Sequence, residues 1–81
     1  MKNFILVHEA TNNLLANKST VINAEHIVGF DKSGIVLNNP EFIKVTESVH
    51  KIYTMLPNKY KFIKVYEREY EYETYINVDY I

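Results

Sequence analysis

Four carboxylates alternate with aromatic residues near the end of the chain, in Tyr66-Glu67-Arg68-Glu69-Tyr70-Glu71-Tyr72-Glu73. In an extended strand successive side chains point to opposite faces. Glu67, Glu69, Glu71 and Glu73 are therefore expected as a ladder on one face, opposite Tyr66, Tyr70 and Tyr72. Same-face carboxylates repeat about every 6.6–7 Å, near the phosphate spacing of one nucleic-acid strand. The chemistry this pattern suits is anionic recognition. Such a ladder can occupy a basic nucleic-acid groove on a host enzyme as a phosphate mimic, while the tyrosines bring contact area at low entropic cost. The same alternation also describes the solvated outer face of an antiparallel sheet.

Catalysis finds little support. A row of exposed carboxylates lacks the burial that separates the pKa values of an acid–base pair. His8, His26 and His50 are scattered, without a partner at metal-ligand spacing. There is no glycine-rich phosphate loop and no serine elbow. The expectation is a non-enzymatic chain that needs no cofactor or metal.

A second constellation is basic. Lys44, Lys51, Lys59, Lys61 and Lys64 interleave with Phe42, Tyr53, Tyr60 and Phe62. Cations beside aromatic rings can follow a phosphate backbone while bases stack. This makes a nucleic-acid-binding regulator using residues 42–64 the alternative function, although the overall pI of 6.3 is not that of a basic domain.

Eighty-one residues make one domain near the lower limit for an unaided hydrophobic core. An apolar fraction of 47% with two glycines and two prolines indicates a packed globule. The absence of cysteine excludes disulfides and points to a reducing, cytoplasmic setting. Phe4-Ile5-Leu6-Val7 is too short for a secretory segment, and no stretch approaches membrane-spanning length. Residues 1–64 carry eight lysines against five acids, a balance of +3. Residues 65–81 carry one arginine against five acids, a balance of −4. A chain with opposite charge at its two ends can self-associate or offer its acidic end to a basic partner.

The elements that must position these residues are mostly strands. Asn3–Glu9 reads as a strand buried on both faces, because its apolar run is continuous. Thr11-Asn12-Asn13 and Asn17-Lys18-Ser19 are turn clusters, and Thr20–Asn23 and Ile27–Phe30 are short apolar runs. Asp31-Lys32-Ser33-Gly34 is a hairpin signal, with Ile35–Leu37 as the return strand. Asn38-Asn39-Pro40 turns again into Phe42–Val45. One helix is expected over 47–56, with Thr46 as N-cap, Glu47 in its first turn and Pro57 as its stop. Val49, Ile52, Tyr53 and Leu56 form its apolar stripe. A straight strand over residues 61–81 would span about 70 Å, against a radius of gyration of about 12 Å for so small a domain. The segment must therefore turn near Arg68 or Asn77, or project as an arm that pairs with another chain.

The motifs Val21-Ile22-Asn23-Ala24-Glu25-His26-Ile27 and Ile43-Lys44-Val45-Thr46-Glu47-Ser48-Val49-His50-Lys51-Ile52 resemble the small flagellar FlbD-type family of bacteria and their phages. The resemblance covers residues 21–56 and implies a fold, with no active site. After Pro57 the chain departs from that pattern with its Tyr/Glu-rich extension. The expected architecture is α+β: a small antiparallel sheet or partial barrel over residues 1–57, one helix, and a C-terminal β extension over residues 58–81. The expected function is protein binding through Tyr66, Glu67, Glu69, Tyr70, Glu71, Tyr72 and Glu73. In outline this is similar to small phage proteins that inhibit nucleic-acid-handling enzymes. A self-assembling structural protein, for example a homodimer joined by strand exchange, is the third reading.

Overall fold

The computed structural model describes residues 3–10, 18–67 and 72–81, with positions 67 and 72 described by backbone alone. The turn expected at Thr11–Asn13, the segment Leu14-Leu15-Ala16, and the positions Arg68, Glu69, Tyr70 and Glu71 lie outside the described residues. Within them, two antiparallel sheets with seven strands surround one helix, an α+β arrangement with a β-rich core.

Strands β1 (Phe4–His8) and β2 (Ser19–Asn23) form the smaller sheet, in register from Phe4↔Asn23 to His8↔Ser19. The continuous apolar run of β1 had suggested burial on both faces, and the structure corrects this. Ile5 and Val7 are buried, whereas Phe4 and Leu6 are exposed, so the strand is one-sided despite its composition. Alternation belongs to the backbone, and an apolar residue on the outer parity stays outside.

A short 3₁₀ turn over Ala24–His26, capped by Asn23 Oδ1 accepting from the Glu25 N–H at 2.9 Å, leads into the second sheet. That sheet contains β3 (Ile27–Asp31), β4 (Gly34–Leu37), β5 (Phe42–Ile43), β6 (Phe62–Glu67) and β7 (Tyr72–Asn77). Their spatial order is β5-β4-β3-β7-β6. The hairpin read from Asp31-Lys32-Ser33-Gly34 is present, with Asp31 paired to Gly34 and Asp31 Oδ1 accepting from the Ser33 N–H at 2.7 Å. Gly34 has φ of 147°, which residues with a Cβ rarely adopt. Isolated pairing of Glu9 with Val45, and the bond from the Thr46 N–H to the His8 carbonyl at 2.9 Å, tie the two sheets together.

The helix α1 (Val49–Met55) begins two residues later than its sequence signal suggested. Ser48, not Thr46, is the N-cap, its Oγ accepting from the Lys51 N–H at 3.1 Å. Glu47 is drawn away by a tertiary partner described below. The apolar stripe is as expected: Ile52 and Leu56 are buried, and Val49 and Tyr53 pack against the core. Opposite them, Phe30 stacks on Tyr75 at 5.0 Å, Tyr75 stacks on Tyr53 at 4.7 Å, and Phe30 meets Phe62 at 5.5 Å. Each ring pair adds about 0.5–1.5 kcal/mol beyond its burial.

The C-terminal segment is part of this framework. β7 lies between β3 and β6, and Asn77 is buried, donating from Nδ2 to the Ile27 carbonyl at 2.9 Å. Its Oδ1 accepts from the Asp79 N–H and caps a final 3₁₀ turn, Val78–Tyr80. Tyr80 then donates its hydroxyl to the Glu25 carbonyl at 2.9 Å. Where a turn near Arg68 or Asn77, or a projecting arm, was expected, β6 and β7 pair antiparallel between Glu67 and Tyr72, and the chain bends again after Asn77.

Candidate interaction surface

The register of β6 and β7 governs the acidic segment. It pairs Phe62 with Asn77, Lys64 with Tyr75, Tyr66 with Glu73 and Glu67 with Tyr72. Directly paired residues of an antiparallel ladder share a face. Positions 66 and 73 therefore fall on one face of the hairpin and positions 67 and 72 on the other. This corrects the expected single ladder. Glu67 and Glu73 do not share a face, and neither do Tyr66 and Tyr72, because the chain reverses between them. Glu69, Tyr70 and Glu71 lie outside the described residues.

The hairpin leaves the core as it runs outward. At its base Phe62, Tyr75 and Asn77 are buried. One pair further on, Lys64 reaches across to Glu73 at 3.6 Å with both side chains about half exposed. Tyr66 is 58% exposed. On the reverse face Ile63 and Val65 are exposed as well. Both faces of β6 are open to solvent from Ile63 to Tyr66, so this stretch stands clear of the packed core.

A second feature escaped the sequence reading. Phe42, Val36, Gly29, Ile76 and Ile63 are paired in turn across all five strands, forming one row on the outer face. Phe42, Val36 and Ile63 are exposed members of that row. Gly29 leaves a gap in its middle, an open groove of about 320 Å³ reaching toward Asp31 and Ser33. A Cβ at Gly29 would come within 2.8 Å of the Tyr75 carbonyl oxygen, so this position admits no side chain without movement. The strand alternation carried the signal, but recognising the row requires the spatial strand order. Large contiguous apolar patches mark interaction sites, whereas singly exposed apolar residues are ordinary.

The lysines of the alternative reading are dispersed into local contacts. Lys61 pairs with Asp79 at 2.9 Å, and the hydrogen bond and charge of Asp79 raise its pKa above 10.5. Lys59 donates to the Thr54 carbonyl at 3.4 Å and sits 5.9 Å from the Tyr53 ring centre. Lys64 is held by Glu73. Lys44 and Lys51 are exposed. Three of the five cations thus already have partners, which weakens a phosphate-tracking face.

His8 and Glu47 form the one close histidine–carboxylate pair among the described residues. Glu47 Oε1 accepts from the His8 N–H at 2.9 Å, and its Oε2 lies 2.7 Å from His8 Nδ1. Burial pushes the Glu47 carboxyl up, but the two hydrogen bonds from His8 outweigh it and hold the group below 4.5. The pair joins β1 to the start of α1 and explains why Glu47 is absent from the helix. His26 and His50 are exposed elsewhere, and no group of three or more metal-ligating side chains occurs among the described residues. Nor, among them, is any helix long and apolar enough to cross a membrane.

Compared with protein-family models, with curated proteins and with solved structures, the chain finds no match in any of the three.

Proposed function

We propose that this chain is a non-enzymatic protein-binding module whose contact element is the outer end of the β6–β7 hairpin. The observation that carries the reading is the exposure of that hairpin beyond the buried Phe62–Asn77 base, with Tyr66 open and paired to Glu73. The turn between the strands brings both ends of the segment 66–73 together at one place. The segment from Tyr66 to Glu73 carries four glutamates and one arginine in its sequence. The partner this chemistry suits is a basic protein surface of the kind that handles nucleic acid, with the chain acting as its inhibitor. The phosphate analogy rests on this concentration of charge, since positions 67 and 73 occupy different faces. The two sheets, bridged at Glu9 and Val45, are read as the partial barrel that holds the hairpin out.

The test is simultaneous replacement of Glu67, Glu69, Glu71 and Glu73 by glutamine. Partner binding should be lost while the thermal melt stays within a few degrees of wild type. Undiminished binding would overturn the proposal.

A further inference from the structure

The two edges of the five-stranded sheet are protected very differently. At one edge β5 has only two residues, follows Pro40, and hands over at Val45 to pairing with Glu9 of the other sheet. At the other edge β6 is six residues long, is in unbroken register with β7, and has no second strand beside it among the described residues. Soluble proteins usually blunt such an edge with lysine, proline or a bulge, because alternate residues turn unpaired N–H and C=O groups outward. β6 contains no proline and shows no register shift. Its one lysine, Lys64, is engaged with Glu73 on the neighbouring strand, away from the open side. Ile63, Val65 and Tyr66 are 45%, 39% and 58% exposed.

We infer that the open β6 edge pairs with β6 of a second copy of this chain, antiparallel about a two-fold axis passing beside Val65. A two-fold axis perpendicular to the sheet makes identical strands antiparallel and keeps inner and outer faces aligned. Only like-facing positions can then lie opposite each other. Centring the pair on Lys64 would set two ammonium groups against each other, which is unfavourable at that distance. Centring it on Val65 instead sets Val65 against Val65 of the second copy, and Lys64 against Tyr66 of the second copy. Each Lys64 then enters a cross-strand row that continues through Tyr66 to Glu73 of the other copy, so one cation and one carboxylate share that row. On the outer face Val65 meets Val65 of the second copy across the axis, while Ile63 comes opposite position 67 of the second copy.

The proposal uses the strand edge and overlaps the hairpin-tip reading only at Tyr66, Glu67 and Glu73. Edge pairing over positions 63–67 covers less than the roughly 800 Å² per partner of a standard stable interface. The dimer is therefore expected to be weak and concentration-dependent.

The full chain should sediment as a monomer at low micromolar concentration and as a dimer at several hundred micromolar. Val65→Lys places two cations at the axis and should keep the chain monomeric at every concentration with an unchanged circular dichroism spectrum. Because the chain lacks cysteine, a single Val65→Cys should form a covalent dimer on mild oxidation or with a short bis-thiol reagent. Val36→Cys, two strands away from β7 in the sheet, should not. A wild-type chain that stays monomeric at several hundred micromolar would overturn the inference. So would a Val65→Lys dimer, or equal cross-linking through position 36. Val65→Lys lies outside the hairpin tip and should leave partner capture intact, so loss of partner binding and loss of dimerisation are read separately.

Discussion

Tyr66 is paired with Glu73 across the β6–β7 ladder, so the chain reversal brings a tyrosine and a carboxylate onto one face of the hairpin. That pairing decides what the acidic segment can be. A single strand would have displayed a flat anionic ladder. The hairpin instead sets positions 66 and 73 on one face and positions 67 and 72 on the other, in a strand pair rooted by buried Phe62 and Asn77.

Gly34 should resist substitution. Its φ of 147° is unfavourable for any residue with a Cβ, and the added carbon would collide with the Ile43 carbonyl oxygen. Gly34→Ala is expected to cost about 1–3 kcal/mol, read as a lower urea midpoint at unchanged slope.

The helix is anchored by Ile52, which is fully buried. Ile52→Ala should destabilise by about 2–5 kcal/mol through lost contact and a residual cavity. Chemical denaturation measures this directly, and a change under 1 kcal/mol (less than roughly a fivefold shift in the folding equilibrium) would mean the helix packs otherwise.

Acid should release the Glu47 strut. The folded-state pKa lies below the ordinary 4.5, so this carboxylate stabilises the fold above that value. Its contribution is lost as pH falls through the folded pKa. Glu47→Ala should cost about 1.5–3 kcal/mol at neutral pH, and the difference from wild type should shrink below about pH 4.5. A constant difference down to strongly acidic pH would show that the carboxylate's charge is not what the strut uses.

Local signals in the chain were legible and non-local ones were not. Asp31 to Gly34 specifies its own turn, and Val49, Ile52, Tyr53 and Leu56 mark a helix face by spacing alone. By contrast, Glu47 was read as a first-turn helix residue because nothing nearby shows that His8, 39 positions earlier, claims both its oxygens. The insertion of β7 between β3 and β6 likewise depends on long-range pairing. The acidic alternation was plain in the sequence, but which carboxylates share a face depends on where the chain turns. The apolar row through Gly29 emerges only once five strands are placed in spatial order.

The most direct test of the central claim is a nuclease-treated pull-down with wild-type chain and the four-glutamine variant, each challenged with added duplex DNA. Recognition through the hairpin tip should yield a nucleic-acid-handling protein that wild type retains, that DNA releases, and that the variant fails to capture. Equal capture by the variant, or capture that DNA leaves untouched, would contradict it.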